Sequence, residues 1–249
     1  MGNGRSFGAW VLVGLLALGI AGASAPAHVG TNLVVNGDFE QTTLPTSSQM
    51  LSNNVTGWST SGYNFLYLPG TADQGGAQTI QYGCCTKLWG PGDGSNNGFT
   101  ATSPTGGNFI GADGAYEVGA ITQTVMGLTI GTNYTLSFWW AAGQQQGFTG
   151  ATTEAWNVSF GTQNYSTATV TTPNMGFTPW RLEMVAFQAS TASQVLSFRA
   201  AGTPAGQPPF SLLDGISVVA GVGEPASGAV VLAGMAVLWA ARRRRVTHA

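Results

Sequence analysis

Between residues 30 and 220 apolar and polar side chains alternate in short runs, and no long stretch repeats at the 3.6-residue period of a helix. Tyr134, Leu136, Phe138 and Trp140 alternate with Asn133, Thr135, Ser137 and Trp139, which predicts a long strand whose first set packs inward. Trp156, Val158 and Phe160 repeat the pattern, as do Leu196, Phe198 and Ala200. Around Arg181–Phe187 apolar residues fall in both registers, so neither face is marked. Gly, Pro and Asn bound the runs, and strands are expected at 33–35, 64–68, 78–82, 107–110, 120–126, 132–142, 154–160, 164–171, 180–188, 194–201 and 212–219. Short strands with one clean apolar face each suit two sheets packed about 10 Å apart.

The two ends break this pattern. At the N-terminus Arg5 precedes an apolar stretch from Phe7 to Ile20, and Ala25-Pro26-Ala27 has the A-x-A form of a signal-peptidase site. Residues 1–27 are therefore expected to be a removed signal helix, with 28–221 as the folded domain. At the other end a 14-residue apolar run, Gly228–Ala241, is followed by Arg242, Arg243, Arg244 and Arg245. As a helix that run is about 21 Å long, short of the roughly 30 Å hydrocarbon core. The arginines would hold its end on the cytoplasmic side.

Ahead of that run stands Val222-Gly223-Glu224-Pro225. The order of Glu-Pro motif, small-residue run and arginine block over residues 222–249 resembles the PEP-CTERM sorting signal of Gram-negative bacteria, with Gly223 in place of the first proline. The resemblance implies processing by an exosortase at Glu224-Pro225, after transient anchoring in the inner membrane. It also implies delivery to the cell surface or to extracellular polysaccharide. A plain C-terminal anchor is the competing reading.

Charge and rare residues narrow the chemistry. The expected mature chain carries Lys87, Arg181 and Arg199 against nine acidic residues, a net charge of −6. Nucleic-acid binding needs clustered cations, and there are none. The two histidines, His28 and His248, lie outside the strand-rich region, so no Ser-His-Asp, Cys-His or zinc site can be built within it. Cys84 and Cys85 are adjacent, and their Cα atoms, about 3.8 Å apart, fall below the usual disulfide span. A strained vicinal ring, an intermolecular bond and two free thiols are the three readings. Asp93-Gly94-Ser95-Asn96-Asn97-Gly98 starts like a calcium loop, but its twelfth position is Pro104, which marks a Gly/Asn turn instead.

A second set of motifs runs in order along the chain. These are Asn32-Leu33-Val34-Val35-Asn36-Gly37-Asp38-Phe39-Glu40, Gly57-Trp58, Ala120–Val125, Tyr134–Phe138 and Leu213-Asp214-Gly215-Ile216-Ser217-Val218. Together they resemble the galactose-binding-like β-jelly-roll of carbohydrate-binding modules, which implies an all-β two-sheet jelly-roll sandwich. The resemblance also implies a structural calcium ion held by Glu40 and Asp214, with Asp38 as a helper. A hydrogen-bonded Asp214 without metal is the alternative. By strand alternation Asp214 is expected on the same face as Ile216 and Val218.

Sugar recognition needs aromatic faces and hydroxyl-binding polar groups. Tyr82, Trp89, Gln145, Phe148 and Trp180 are the candidates, although a jelly-roll core also consumes aromatics. Asp113 and Glu117 form the nearest carboxylate pair for glycosidase chemistry, within a glycine-flanked turn. The expectation is a non-catalytic exported surface or matrix protein associated with exopolysaccharide. A dedicated carbohydrate-binding module with one defined glycan is the alternative, and a glycosidase the third reading.

Overall fold

Side chains alternate across a strand, so a chain of short half-apolar strands must cover each sheet face with another layer. The computed structural model describes residues 30–74 and 86–221, and its strands do this. Among the described residues twelve strands occur: β1 (Ser48–Gln49), β2 (Ser59–Thr60), β3 (Asn64–Tyr67), β4 (Phe109–Asp113), β5 (Ala120–Met126) and β6 (Asn133–Gln144), then β7 (Thr152–Phe160), β8 (Gln163–Ser166), β9 (Val170–Thr172), β10 (Phe177–Gln188), β11 (Ser193–Thr203) and β12 (Pro209–Ala220). One sheet runs β1-β3-β4-β12-β6-β10, the other β2-β5-β11-β7-β8 with β9 also on β7. All these pairings are antiparallel. The chain is an all-β, two-sheet jelly-roll sandwich.

The inner faces meet where the alternation predicts. Tyr134, Leu136, Phe138 and Trp140 of β6 face Trp156, Val158 and Phe160 of β7 and Leu196, Phe198 and Ala200 of β11 in one buried cluster. Phe198 is its hub, with ring centroids 5.1 Å from Phe138 and 6.0 Å from Trp156, both edge-on. On β10 the ambiguous register resolves with Arg181, Glu183, Val185 and Phe187 turned to the less exposed side. Arg181 lies 4.9 Å over the Trp140 ring, and Glu183 Oε1 accepts from Trp140 Nε1 at 3.1 Å.

Three expectations change. Residues 33–35 are not a strand, because the Asn32 side chain takes the ladder's place by accepting from Val34 N at 3.0 Å and Val218 N at 2.9 Å. The single strand expected at 164–171 is two, β8 and β9, with three residues between them. The β12 ladder shifts register between Asp214 and Ser217, where Gly215 has φ +60°. That bulge reverses the alternation. Leu213, Ile216 and Val218 enter the inner cluster, whereas Asp214 falls on the Phe210 and Leu212 side, opposite to the face expected for it.

The outer face of the first sheet is also partly buried. Phe65, Tyr67, Phe109, Ala141, Phe210 and Leu212 lie beneath Ala72, Leu88, Phe99 and Ala101 from the long β3–β4 connection. The signal segment, the expected strand at 78–82, Tyr82, Cys84, Cys85 and the whole of 222–249, with Glu224, Pro225 and Arg242–Arg245, lie outside the described residues.

Candidate functional site

At one end of the sandwich the turn after β4 packs against the start of β3 through close backbone contact. Tyr63 N donates to Glu117 O at 2.9 Å and Asp113 N to Tyr63 O at 3.1 Å. A Cβ on Gly119 would stand 1.7 Å from Ser61 O, so only glycine permits the approach. A second wall is the turn after β6, where Phe148 N bonds Gln145 O at 3.3 Å and Gln146 N bonds Lys87 O at 2.8 Å. The segment before β12 closes the third side through Gln145 N to Pro208 O, 3.4 Å. Between them opens a cavity of about 770 Å³, within the usual range for small-ligand sites. Its lining includes Tyr63, Asp113, Tyr116, Glu117, Gln145 and Phe148.

Asp113 is 1 % exposed. Its Oδ1 accepts from Ala115 N at 2.8 Å and Tyr116 N at 3.0 Å, which pins the turn, while Oδ2 has no partner among the described residues. Burial pushes its carboxyl up to about 6, against the pull of those two amides. Gln146 Oε1, also on the lining, is a second buried acceptor without a partner. Tyr116 is 56 % exposed and meets Tyr63 edge-on at 5.3 Å, presenting aromatic surface to the opening. Burial raises the Tyr63 phenol, which touches Thr86 Oγ1 at 3.3 Å.

The candidates named from sequence separate into groups. Gln145 and Phe148 line the cavity, as do Asp113 and Glu117. Trp89 does not; its Nε1 donates to Phe148 O at 2.8 Å and braces the turn from behind. Trp180 packs edge-on to Phe109 at 5.7 Å in the outer cluster and donates to Thr102 O at 3.0 Å. Tyr63, Tyr116 and Pro208 join the site only in the structure. Tyr116 is close to Asp113 in sequence, whereas no sequence signal marks Tyr63 or Pro208.

A separate acidic region lies beneath residues 103–108. Asp214 is fully buried, and its Oδ2 accepts from the Ser103 and Thr105 hydroxyls while Oδ1 has no hydrogen-bond partner among the described residues. Burial pushes its carboxyl up to about 7, with a smaller push from Asp38. Glu40 is tied to the same loop, Oε1 accepting from Asn108 N, and Asn108 Nδ2 donates to Phe39 O at 3.0 Å. Among the described residues no three Asp, Glu, His or Cys side chains group closely enough to hold a metal together. A hard cation there would rest on Asp214 Oδ1 and on neutral hydroxyl and carbonyl oxygens; an oxygen-only donor set with an orphaned carboxylate oxygen fits calcium in kind.

No model of a known protein family matches the chain, and no curated protein does. Solved structures do. The carbohydrate-binding module TmCBM61, in complex with β-1,4-galactotriose, is 15% identical with a TM-score of 0.41, over 77% of this chain and 99% of its own. The K1 cleaved adhesin domain of Lys-gingipain from Porphyromonas gingivalis is 13% identical with a TM-score of 0.39, over 71% and 99%. The N-terminal cellulose-binding domain of Cellulomonas fimi β-1,4-glucanase C is 15% identical with a TM-score of 0.29, over 50% and 83%.

Proposed function

We propose that this chain is a non-catalytic exported protein of the cell surface or extracellular matrix that holds glycan in the cavity at the Asp113 end of the sandwich. The observation that carries the reading is the cavity itself. Aromatic side chains stand beside buried acceptor oxygens that no group among the described residues satisfies. Buried polar atoms are normally paired, and a hydroxyl-rich ligand would supply the missing donors. Pyranose C–H faces suit the rings of Tyr116 and Phe148. The A-x-A site, the Glu224-Pro225 motif and the arginine block support signal-peptidase and exosortase processing and association with exopolysaccharide. Calcium at Asp214 would tie the loop 103–108 to β12, and a melting transition indifferent to both calcium and chelator would remove it.

A glycan array probed with the full-length chain tests the main reading. Retention on a defined set of glycans, with no release of reducing sugar, is the expected outcome. Silence across the array would sink it. One observation favours a carboxylate-based glycosidase instead: Asp113, pushed up to about 6, shares the cavity with Glu117. Against it, Asp113 spends one oxygen on two backbone amides and so serves the turn. Hydrolysis abolished by Asp113→Asn would establish the enzyme.

A further inference from the structure

The described lining of the cavity carries two carboxylates and no cation. All three basic side chains among the described residues stand outside that lining. Lys87 Nζ donates to Thr71 O at 2.8 Å, Arg181 lies over Trp140, and Arg199 stands on β11 between Ala120 and Asn157. Resting on the glycan reading above, we infer that the cavity selects a sugar residue bearing a protonated amino group, with Asp113 Oδ2 as its counter-ion.

The argument is one of unpaired charge. A carboxylate that is 1 % exposed, with one oxygen lacking a partner among the described residues, is costly unless a cation or several donors reach it. A neutral hydroxyl satisfies the geometry and leaves the charge. An ammonium satisfies both, and charge-assisted hydrogen bonds are roughly twice as strong as neutral ones. Glu117 on the same lining adds attraction for a cation and repulsion for a uronate. Tyr63, Tyr116 and Phe148 line the same cavity, and the negative quadrupole of an aromatic face favours an ammonium at close range. Gln146 Oε1 remains for a hydroxyl of the same sugar. The expected order of affinity is amino sugar, then neutral sugar, then acidic sugar.

Calorimetry at neutral pH on the full-length chain in detergent tests this with three β-1,4-linked hexamers: of glucosamine, of N-acetylglucosamine and of glucose. The glucosamine hexamer should bind at least about tenfold more tightly than the other two, the order expected for one desolvated ion pair. Asp113→Asn keeps an acceptor for the two turn amides and should erase the preference. Should that variant fail to fold, Tyr116→Ala, at an exposed ring, should weaken the glucosamine hexamer several-fold. Equal or tighter binding of the N-acetylated or glucose hexamer overturns the inference and leaves the glycan reading standing. So does a preference that persists in Asp113→Asn. If none of the hexamers binds while benzyltrimethylammonium does, the sugar assignment fails together with the glycan reading.

Discussion

The sheet β1-β3-β4-β12-β6-β10 buries apolar side chains on both faces, and the two clusters differ in what covers them. The inner cluster is closed by a second sheet, so each strand contributes every other residue, and Phe198, Phe138 and Trp156 meet at fixed spacing. The outer cluster is closed mainly by connecting chain. Phe99, Ala101 and Leu88 reach it from the β3–β4 connection, and Phe177 and Trp180 from one end of β10. A sheet-on-sheet layer has little freedom to collapse around a void, whereas a connecting segment can settle into one. The difference assigns the clusters separate duties. One specifies the sandwich; the other holds the segment whose Lys87 carbonyl supports the Gln146 wall of the cavity.

The sharpest way to break the contrast is to empty each cluster in turn. Phe198→Ala should cost about 3–5 kcal/mol and lower the urea midpoint of the whole domain. Phe109→Ala, beneath the connection, should cost less, about 2–3 kcal/mol, because the cover can relax inward. Hydrogen exchange should then quicken over residues 86–108 while β7 and β11 keep their protection. Equal global destabilisation by both would erase the distinction.

A smaller effect probes a polar flaw on the inner face of β7. Glu154 is fully buried on the side of Trp156 and Val158. Its Oε2 accepts from Thr172 Oγ1 at 2.6 Å, and its Oε1 has no hydrogen-bond partner among the described residues. Burial pushes its carboxyl up to about 7. The folded state therefore holds this proton more tightly than the unfolded chain does. Its contribution to stability is fully present below about 4.5 and is lost as pH rises through about 7. Melting followed from pH 4 to pH 8 should show stability falling, and Glu154→Gln should flatten that fall by about 1–2 kcal/mol. A slope unchanged in the variant would place the buried proton elsewhere.

How far the sequence foretold this follows from the same contrast. The inner faces of β6, β7 and β11 were readable because nothing interrupts their alternation. β10 was not, since Arg181 and Glu183 turn toward Trp140 and disguise the inward face as polar. Asp214 was placed on the wrong face because the Gly215 bulge shifts the alternation by one, and a bulge leaves no mark on hydropathy. In the outer cluster Phe65 and Tyr67 of β3 and Phe210 and Leu212 of β12 still alternate, but their cover, Ala72, Leu88, Phe99 and Ala101, comes from connecting chain that has no period. For the cavity, Gln145 and Phe148 stood out as an aromatic beside amides, and Asp113 with Glu117 as a carboxylate pair. Their convergence depends on Gly62 and Gly119 letting two backbones touch, a tertiary fact. Trp89 and Trp180 resembled ligand-stacking residues, yet both indole N–H groups are spent on backbone carbonyls.

The most direct test of the central claim is amide NMR of the labelled chain titrated with an oligosaccharide retained on the array. Shifts confined to residues 113–117, 145–148 and 205–208, and abolished by Phe148→Ala, are the predicted result. Shifts centred on another surface, or binding unaltered by that substitution, would contradict it.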